Sequence, residues 1–85
     1  MKHFADLNFW EYYYKLPVSI QQLADKNFNL LKQNPNHPSL YFKQIRRHWS
    51  VRVGMHYRAL GVMSENGDIV WLWIGTHREY EKLIK

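Results

Sequence analysis

The sequence predicts an α+β fold in which an N-terminal helical hairpin packs on an antiparallel sheet of three or four strands, followed by a short C-terminal helix. Apolar residues between positions 20 and 31 recur at helical spacing, whereas short runs after position 40 alternate apolar and polar residues between turn-forming residues. With 85 residues, of which 46% are hydrophobic, the chain can fill one core but not two. A single domain spanning residues 1–85 is therefore expected.

The first helix is predicted over residues 9–15. Asn8 and Glu11 have the spacing of a capping box, which marks a helix N-terminus. Aromatic side chains surround most of this helix, which indicates burial on several sides, partly by a partner: Phe9, Trp10, Tyr12, Tyr13 and Tyr14.

The second helix is predicted to begin at Pro17, because proline suits the first helical turn. Ser19 and Gln22 offer another capping box. Prolines at 35 and 38 end the helix, because a residue before proline disfavours helical geometry. The stripe that faces the core follows helical spacing: Ile20, Leu23, Ala24, Asn27 and Leu31.

Four strands are predicted over residues 40–45, 49–53, 56–63 and 69–74. In the second, Val51 and Val53 are expected to point inward and Ser50 and Arg52 outward, because side chains alternate between the faces of a strand. Gly61 is a candidate β-bulge. Asn-Gly at 66–67 predicts the hairpin before the last strand, whose apolar composition predicts a central position.

The C-terminal helix is predicted to follow Gly75 and Thr76. Thr76 and Glu79 form a third capping-box pattern. Tyr80, Leu83 and Ile84 would then share one face.

The charge distribution points to a polyanionic ligand, with RNA or DNA first. The chain carries a net charge of +5, and no acidic residue lies between Asp25 and Glu65. In the second half of that stretch, basic residues alternate with apolar ones, so one face of the sheet should be cationic. Without cysteine, disulfides and cysteine-based metal sites are excluded, and neither a membrane span nor a signal peptide is visible. A soluble cytoplasmic protein is expected.

Arg52 and Arg58 are the first candidate site residues. They come from adjacent strands, and two guanidinium groups on one face could grip a phosphate. The sequence leaves the register open, so it does not say whether they share a face. His56 is expected on the side of Arg58. The alternative is a solvated, ion-paired face.

A second basic group leads into that hairpin: Lys43, Arg46, Arg47 and His48. A loop of this kind would follow a phosphate backbone without reading bases, and Arg78 is a further candidate contact. The alternative is an ordinary exposed turn.

His77 and Tyr80 lie one turn apart at the start of the last helix. A histidine there could transfer protons. The alternative is a surface histidine beside a core tyrosine, which is the commoner arrangement. No zinc spacing, glycine-rich phosphate loop or Ser-His-Asp set is visible, and neither a cofactor nor a metal is expected.

Three segments together resemble the RelE/ParE superfamily of toxins from type II toxin–antitoxin systems, and within it a RelE-like subfamily. They read LPVSIQQLADKNFNLLKQNPNHPSLYFKQI, WSVRVGMHYRALGV and VWLWIGTHREYEKL. The resemblance covers nearly the whole chain. It implies a helical hairpin against a four-stranded antiparallel sheet and a cognate antitoxin as partner. No membrane partner is expected, because the sequence has no apolar run long enough to span a bilayer.

Many RelE-like toxins are metal-independent ribonucleases that cut mRNA, often on the ribosome, so the resemblance implies catalytic roles for Arg52, Arg58, His77 and Tyr80. Arg58 matches the Tyr-Arg arginine of the family and would stabilise the phosphorane. Ser50 stands where RelE has a second basic residue. Two alternatives remain: a ParE-like inhibitor of DNA gyrase, and an inert homologue that binds only an antitoxin.

Overall fold

The computed structural model describes all 85 residues and contains three α-helices and five β-strands. No helix combines the length and apolar composition that crossing a bilayer requires. In chain order, the elements are β1 (His3–Ala5), α1 (Leu7–Tyr14), α2 (Val18–Gln33), a 3-10 turn (Pro38–Leu40), β2 (Lys43–Ile45), β3 (His48–Val53), β4 (Tyr57–Met63), β5 (Ile69–Thr76) and α3 (His77–Leu83).

All five strands belong to one sheet, in the order β1-β5-β4-β3-β2. The strands β2 to β5 form an antiparallel meander, whereas β1 pairs in parallel with the start of β5. The predicted central position of the last strand is confirmed in that β5 has a partner on each side. The predicted sheet of three or four antiparallel strands is corrected to five strands, one of them parallel.

The sequence did not reveal β1, because it is three residues long and only one of its side chains is even half-buried. Its partner also lies more than 60 positions away, since His3 pairs with Ile69. No local pattern encodes such a pairing. A further main-chain hydrogen bond joins the two segments, because the amide of Ile69 donates to the carbonyl oxygen of Lys2 at 2.9 Å.

The two faces of the sheet are covered differently. The inner face packs under the α1–α2 hairpin, and its residues lie in one apolar core with Phe9, Ala24 and Leu31; they include Val51, Val53, Ala59, Trp71 and Ile74. The opposite face, called the basic face below, carries Ser50, Arg52, Arg58, Leu60 and Trp73. There α3 packs Tyr80 against Leu60 and Trp73 in a second, smaller cluster.

A β-bulge lies at Gly61, as predicted. It allows β5 to place side chains in both apolar clusters. Gly61 pairs with Trp71 while Leu60 pairs with Trp73, so Leu72 is the extra residue. Strict alternation would send Trp71 and Ile74 to opposite faces, and the extra residue brings both to the inner face. A Cβ on Gly61 would lie 2.7 Å from the carbonyl oxygen of Val70, so only glycine fits.

Of the three capping boxes predicted at helix N-termini, one is present in the structure and two are not. The predicted capping box of Thr76 and Glu79 is confirmed, with both reciprocal bonds present. The two earlier capping boxes are wrong, because α1 and α2 follow Asp6 and Pro17 without a side-chain cap. Asn8 already lies inside α1, where its side chain cannot reach the first free amides.

The predicted strand over residues 40–45 is also corrected, because β2 begins only at Lys43. Pro38 opens a 3-10 turn, and Nδ1 of His37 accepts a hydrogen bond from the amide of Ser39 at 3.2 Å. Tyr41 then adopts a left-handed conformation with φ of 44°, which redirects the chain into the sheet.

The predicted burial of α1 on several sides is not met within this chain. Phe9 and Tyr13 are buried, whereas Leu7, Trp10 and Tyr14 are exposed. The exposed side chains lie three and four positions apart, so they form one apolar stripe on the outside of the hairpin.

The edge strand β1 is tied to the core by a side-chain hydrogen bond that depends on protonation. The indole Nε1–H of Trp71 donates to Nδ1 of His3 at 3.1 Å, and the two rings are stacked. Burial first, and then the charges of Lys32 and the N-terminal ammonium group, lower the pKa of His3 below 6.5. A protonated ring has no acceptor, so it would lose this bond.

We expect acid to destabilise the wild-type protein more than a His3→Gln variant. The lowered folded-state pKa means that the unfolded chain binds this proton first. The stabilisation is therefore fully present above about pH 6.5 and is lost as the pH falls through the folded-state pKa. The difference should be at most about 1 kcal/mol, as for one hydrogen bond. Urea unfolding of both proteins from pH 7.5 to 5 measures it; parallel pH profiles would contradict this role of His3.

Candidate functional site

The register of β3 and β4 brings the two candidate arginines together. Arg52 pairs directly with Arg58, so both side chains leave the same face of the sheet. In the next pair along the strands, Ser50 faces Leu60. Both arginines are half-buried. The sequence did not say whether Arg52 and Arg58 lie on the same face of the sheet, and the register shows that they do.

No carboxylate neutralises this pair. The chain contains one ion pair, between His77 and Glu81, and neither arginine takes part in it. Burial first, and then the charge of Arg52, lower the pKa of Arg58, while Tyr80 acts in the opposite direction. Two like charges that lie side by side without a counter-ion make a site for an anion.

Backbone carbonyls of the β3–β4 turn orient the two guanidinium groups. The oxygen of Gly54 accepts from Nε of Arg52 at 3.2 Å and from Nη1 of Arg58 at 3.5 Å. Arg58 also donates to the oxygen of Tyr57 at 2.8 Å. Both terminal amino groups of Arg52 stay free to donate. Gly54 has φ of 65°, and a Cβ there would lie 2.8 Å from Leu23, so the turn requires glycine.

An aromatic ring supports Arg52 from the outer side. The guanidinium carbon lies 5.0 Å from the ring centroid of Tyr41, within cation–π range. Tyr41 reaches this position through the left-handed residue geometry that precedes β2. Sequence reasoning missed this contact, because it depends on a tertiary register that no local pattern shows.

His77 and Tyr80 lie together on α3, as their spacing predicts. Their rings stack with centroids 5.7 Å apart. Nδ1 of His77 lies 3.3 Å from Oε1 of Glu81, one turn further along the helix. The amide of His77 donates to the carbonyl oxygen of His56 at 2.7 Å, which joins the start of α3 to the β3–β4 turn. Sequence reasoning did not use Glu81, although its four-residue spacing from His77 was visible.

Tyr80 is buried, and its hydroxyl donates to Oγ of Ser50 at 3.3 Å. Ser50 was expected to point outward. It does lie on the face opposite Val51 and Val53, but α3 covers it, and only 2% of its surface is exposed. The predicted outward direction of Ser50 is therefore confirmed, and its burial beneath α3 is tolerated because the hydroxyl of Tyr80 donates to it.

The remaining basic candidates line the basic face and its margins. Lys43 pairs with Ser50 and His48 with Ile45, which places both on the face of Arg52. Arg46 and Arg47 form the exposed two-residue turn between β2 and β3. From this turn to Arg52 the strand spans about 16 Å. The basic residues thus extend along the whole of β3.

His56 and Arg78 lie outside the sheet, in the β3–β4 turn and on the first turn of α3. His56 belongs to the turn before β4, not to the strand as expected, and its side chain is exposed. Gly54 to His56 form the turn, so β4 begins only at Tyr57, although the carbonyl oxygen of His56 still accepts from the amide of His77. Arg78 is exposed on the first turn of α3.

A family model described as "ParE-like toxin domain" matches residues 11–82 of the chain. This region contains the arginine pair, α2, all strands except β1 and all but the last residue of α3. The matched domain is therefore a small toxin domain. The chain belongs to the ParE-like toxin domain family.

Solved structures of bacterial toxins share the fold. The toxin–antitoxin complex RelBE2 of Mycobacterium tuberculosis matches with a TM-score of 0.67 and 19% identity, over 89% of this chain and 96% of the matched chain. The isolated RelE toxin of E. coli matches at 0.64 and 12%, over 99% and 98%. The YoeB/ParE toxin of Agrobacterium tumefaciens matches at 0.68 and 15%, over 91% and 99%. No curated protein sequence gives a significant match.

We expect the hydroxyl of Tyr80 to stabilise the packing of α3 on the sheet. Tyr80→Phe should lower the free energy of unfolding by about 0.5–1 kcal/mol, because the hydrogen bond to Ser50 is lost. Denaturant unfolding of Tyr80→Phe, Ser50→Ala and the double variant measures the coupling. Tyr14→Phe, at an exposed tyrosine on α1, should change nothing. Strictly additive single effects would contradict the bond.

Proposed function

We propose that this chain is the toxin of a type II toxin–antitoxin pair and that it cleaves mRNA on the ribosome as a metal-independent endoribonuclease. The observation that carries the proposal is the arginine pair, Arg52 opposite Arg58 without a carboxylate, on the same face as α3 with His77. The solved toxins named above support the fold of such a protein.

The proposed reaction is attack by a ribose 2′-hydroxyl on the adjacent phosphate. A base takes the proton of the 2′-hydroxyl, the O2′–P bond forms and the P–O5′ bond breaks. An acid then protonates the leaving 5′-oxygen, which gives a 2′,3′-cyclic phosphate and a free 5′-hydroxyl. Negative charge develops on the phosphate oxygens, where the paired guanidinium groups would stabilise it.

His77 is the proposed proton-transfer group. The contact between its Nδ1 and Glu81 favours a proton on Nδ1, which leaves Nε2 able to accept one. The side chain of His77 is 41% exposed, so a substrate can reach it. Tyr80 is too buried for direct contact with RNA, and we assign it a positioning role beneath the His77 ring.

The outer basic residues are proposed to hold the RNA strand on either side of the cut. Lys43, Arg46, Arg47 and His48 lie on β2, in the turn that follows it and at the start of β3. His56 lies in the turn beyond the other end of β3, and Arg78 lies on the first turn of α3. Contacts of this type position a phosphate backbone without reading its bases.

A second candidate function is inhibition of DNA gyrase. The name of the matching family, ParE-like, favours it. A gyrase inhibitor would act by binding a protein, and it would not need His77 or an unpaired arginine pair. The exposed apolar stripe of α1, formed by Leu7, Trp10 and Tyr14, would then be the first surface to test.

We expect Arg58→Ala to abolish growth arrest and to slow message cleavage about 100- to 1,000-fold, because one charge-stabilising contact is removed. Cleavage is measured on translating ribosomes in EDTA by mapping the 5′ ends of the mRNA. Lys26→Ala, an equal change of charge on α2, is the matched control.

Thermal unfolding of Arg58→Ala should show an intact fold, which separates lost chemistry from lost structure. A fully toxic Arg58→Ala protein would contradict the site assignment. Intact message together with inhibited gyrase supercoiling would replace the nuclease proposal by the ParE-like one.

The proposed partner is a cognate antitoxin with an acidic segment. One solved relative is a toxin–antitoxin complex, which supports a partner of this kind. The net charge of +5 favours an acidic partner, and the segment would lie across the basic face or the apolar stripe of α1.

We expect the association rate with the antitoxin to fall steeply between 50 and 500 mM NaCl, as for oppositely charged surfaces. Stopped-flow or surface-plasmon measurements at several salt concentrations test this. The double variant Arg46→Ala with Arg47→Ala should flatten the salt dependence of the association rate. Leu7→Ala should instead raise the dissociation rate, because it removes an apolar contact. An association rate unaffected by salt would favour a purely apolar interface.

A further inference from the structure

A pocket of about 350 Å³ lies between the start of α1 and the end of α3. Tyr12 and Trp73 form its aromatic wall, with ring centroids 6.4 Å apart and the rings at 61° to each other. Asp6, Asn8 and His48 supply its polar groups. None of these three side chains makes a hydrogen bond or an ion pair within the chain, so all three are available to a ligand.

The pocket belongs to the face that carries the arginine pair. Trp73 pairs with Leu60, two positions from Arg58 on the same strand. Gly75 lies opposite Arg58, and a Cβ there would collide with the indole of Trp73. The indole therefore reaches towards the row of residues that holds Arg58, at about 7 Å along the strand.

An aromatic wall next to a phosphate site fits a nucleobase. Single-stranded RNA is recognised by stacking bases on aromatic side chains and by hydrogen bonds to their Watson–Crick edges. Tyr12 is 40% exposed, so part of its ring is open to such a stack. The volume is at the lower end of small-molecule sites, about 300–1,000 Å³, and is sufficient for one nucleobase.

Asp6 offers a carboxylate to a base in this pocket. An ionised carboxylate only accepts hydrogen bonds. The Watson–Crick edge of guanine offers two adjacent donors, the N1–H and the 2-amino group, whereas adenine and cytosine present a ring nitrogen that is itself an acceptor. Asn8 can donate to the 6-oxo group beside those donors.

We propose that this pocket binds an unstacked guanine base of the RNA next to the phosphate held by Arg52 and Arg58. The inference deepens the proposed ribonuclease function and rests on it for its biological meaning. The binding itself needs no cleavage, so the two can fail separately.

The test titrates the full chain with each of the four ribonucleosides, which carry no phosphate, and follows the indole N–H resonance of Trp73. Guanosine should shift it at concentrations at least about tenfold below those needed for adenosine, which corresponds to about 1.4 kcal/mol. Tyr12→Leu should weaken guanosine binding about tenfold. Asp6→Asn should bring guanosine and adenosine to within about twofold.

Tyr14→Leu is the matched control, since Tyr14 is an exposed aromatic residue on the same helix but outside the pocket. An unmoved Trp73 resonance would overturn the inference, as would an equal effect of Tyr14→Leu or a guanosine preference that survives Asp6→Asn. Cleaved message without nucleoside binding would support the nuclease proposal and contradict guanine binding in the pocket. Nucleoside binding with intact message would support the guanine pocket and contradict the nuclease proposal.

Discussion

The burial of Val51, Val53 and Ala59 on the inner face fixes the register of β3 and β4, and the rest of this structure depends on that packing. The same register holds two arginines side by side without a counter-ion. Repulsion between Arg52 and Arg58 opposes the pairing of β3 with β4, and burial of Arg58 adds to that cost. Burial of apolar side chains on the inner face of the sheet offsets this electrostatic cost. There Val51, Val53 and Ala59 are almost fully buried, and a one-residue slip would turn all three towards solvent. The apolar core thus fixes a register that the charges alone would reject.

The glycine at the tip of this hairpin connects the core to the charged pair. Gly54 must adopt a left-handed conformation against Leu23 of α2, and its carbonyl oxygen then accepts from both guanidinium groups. Because α2 packs against the turn that orients the arginines, the helical hairpin shapes a site on the opposite face. A substitution at Gly54 would therefore disturb the anion site and the helix packing together.

Local patterns predicted the parts of the fold that local physics determines. Helical periodicity located α2, and the capping box of Thr76 located α3 to the residue. The same capping pattern failed at Asn8, because spacing alone does not say which residue precedes the helix. The candidate site was recognisable as a set of residues, but its geometry was not, since the contacts of Arg52 with Arg58 and Tyr41 depend on pairings between distant segments.

The parallel pairing of β1 with β5 constrains how the chain can assemble during synthesis. His3 needs Ile69, and the indole that binds its ring belongs to Trp71, so the first strand stays without a partner until most of the chain has left the ribosome. Contacts of such long sequence separation form late, because closing the intervening loop costs entropy before any contact repays it. Closure of the N-terminal edge therefore marks the completion of the folded domain, and a prematurely terminated chain would leave that edge open.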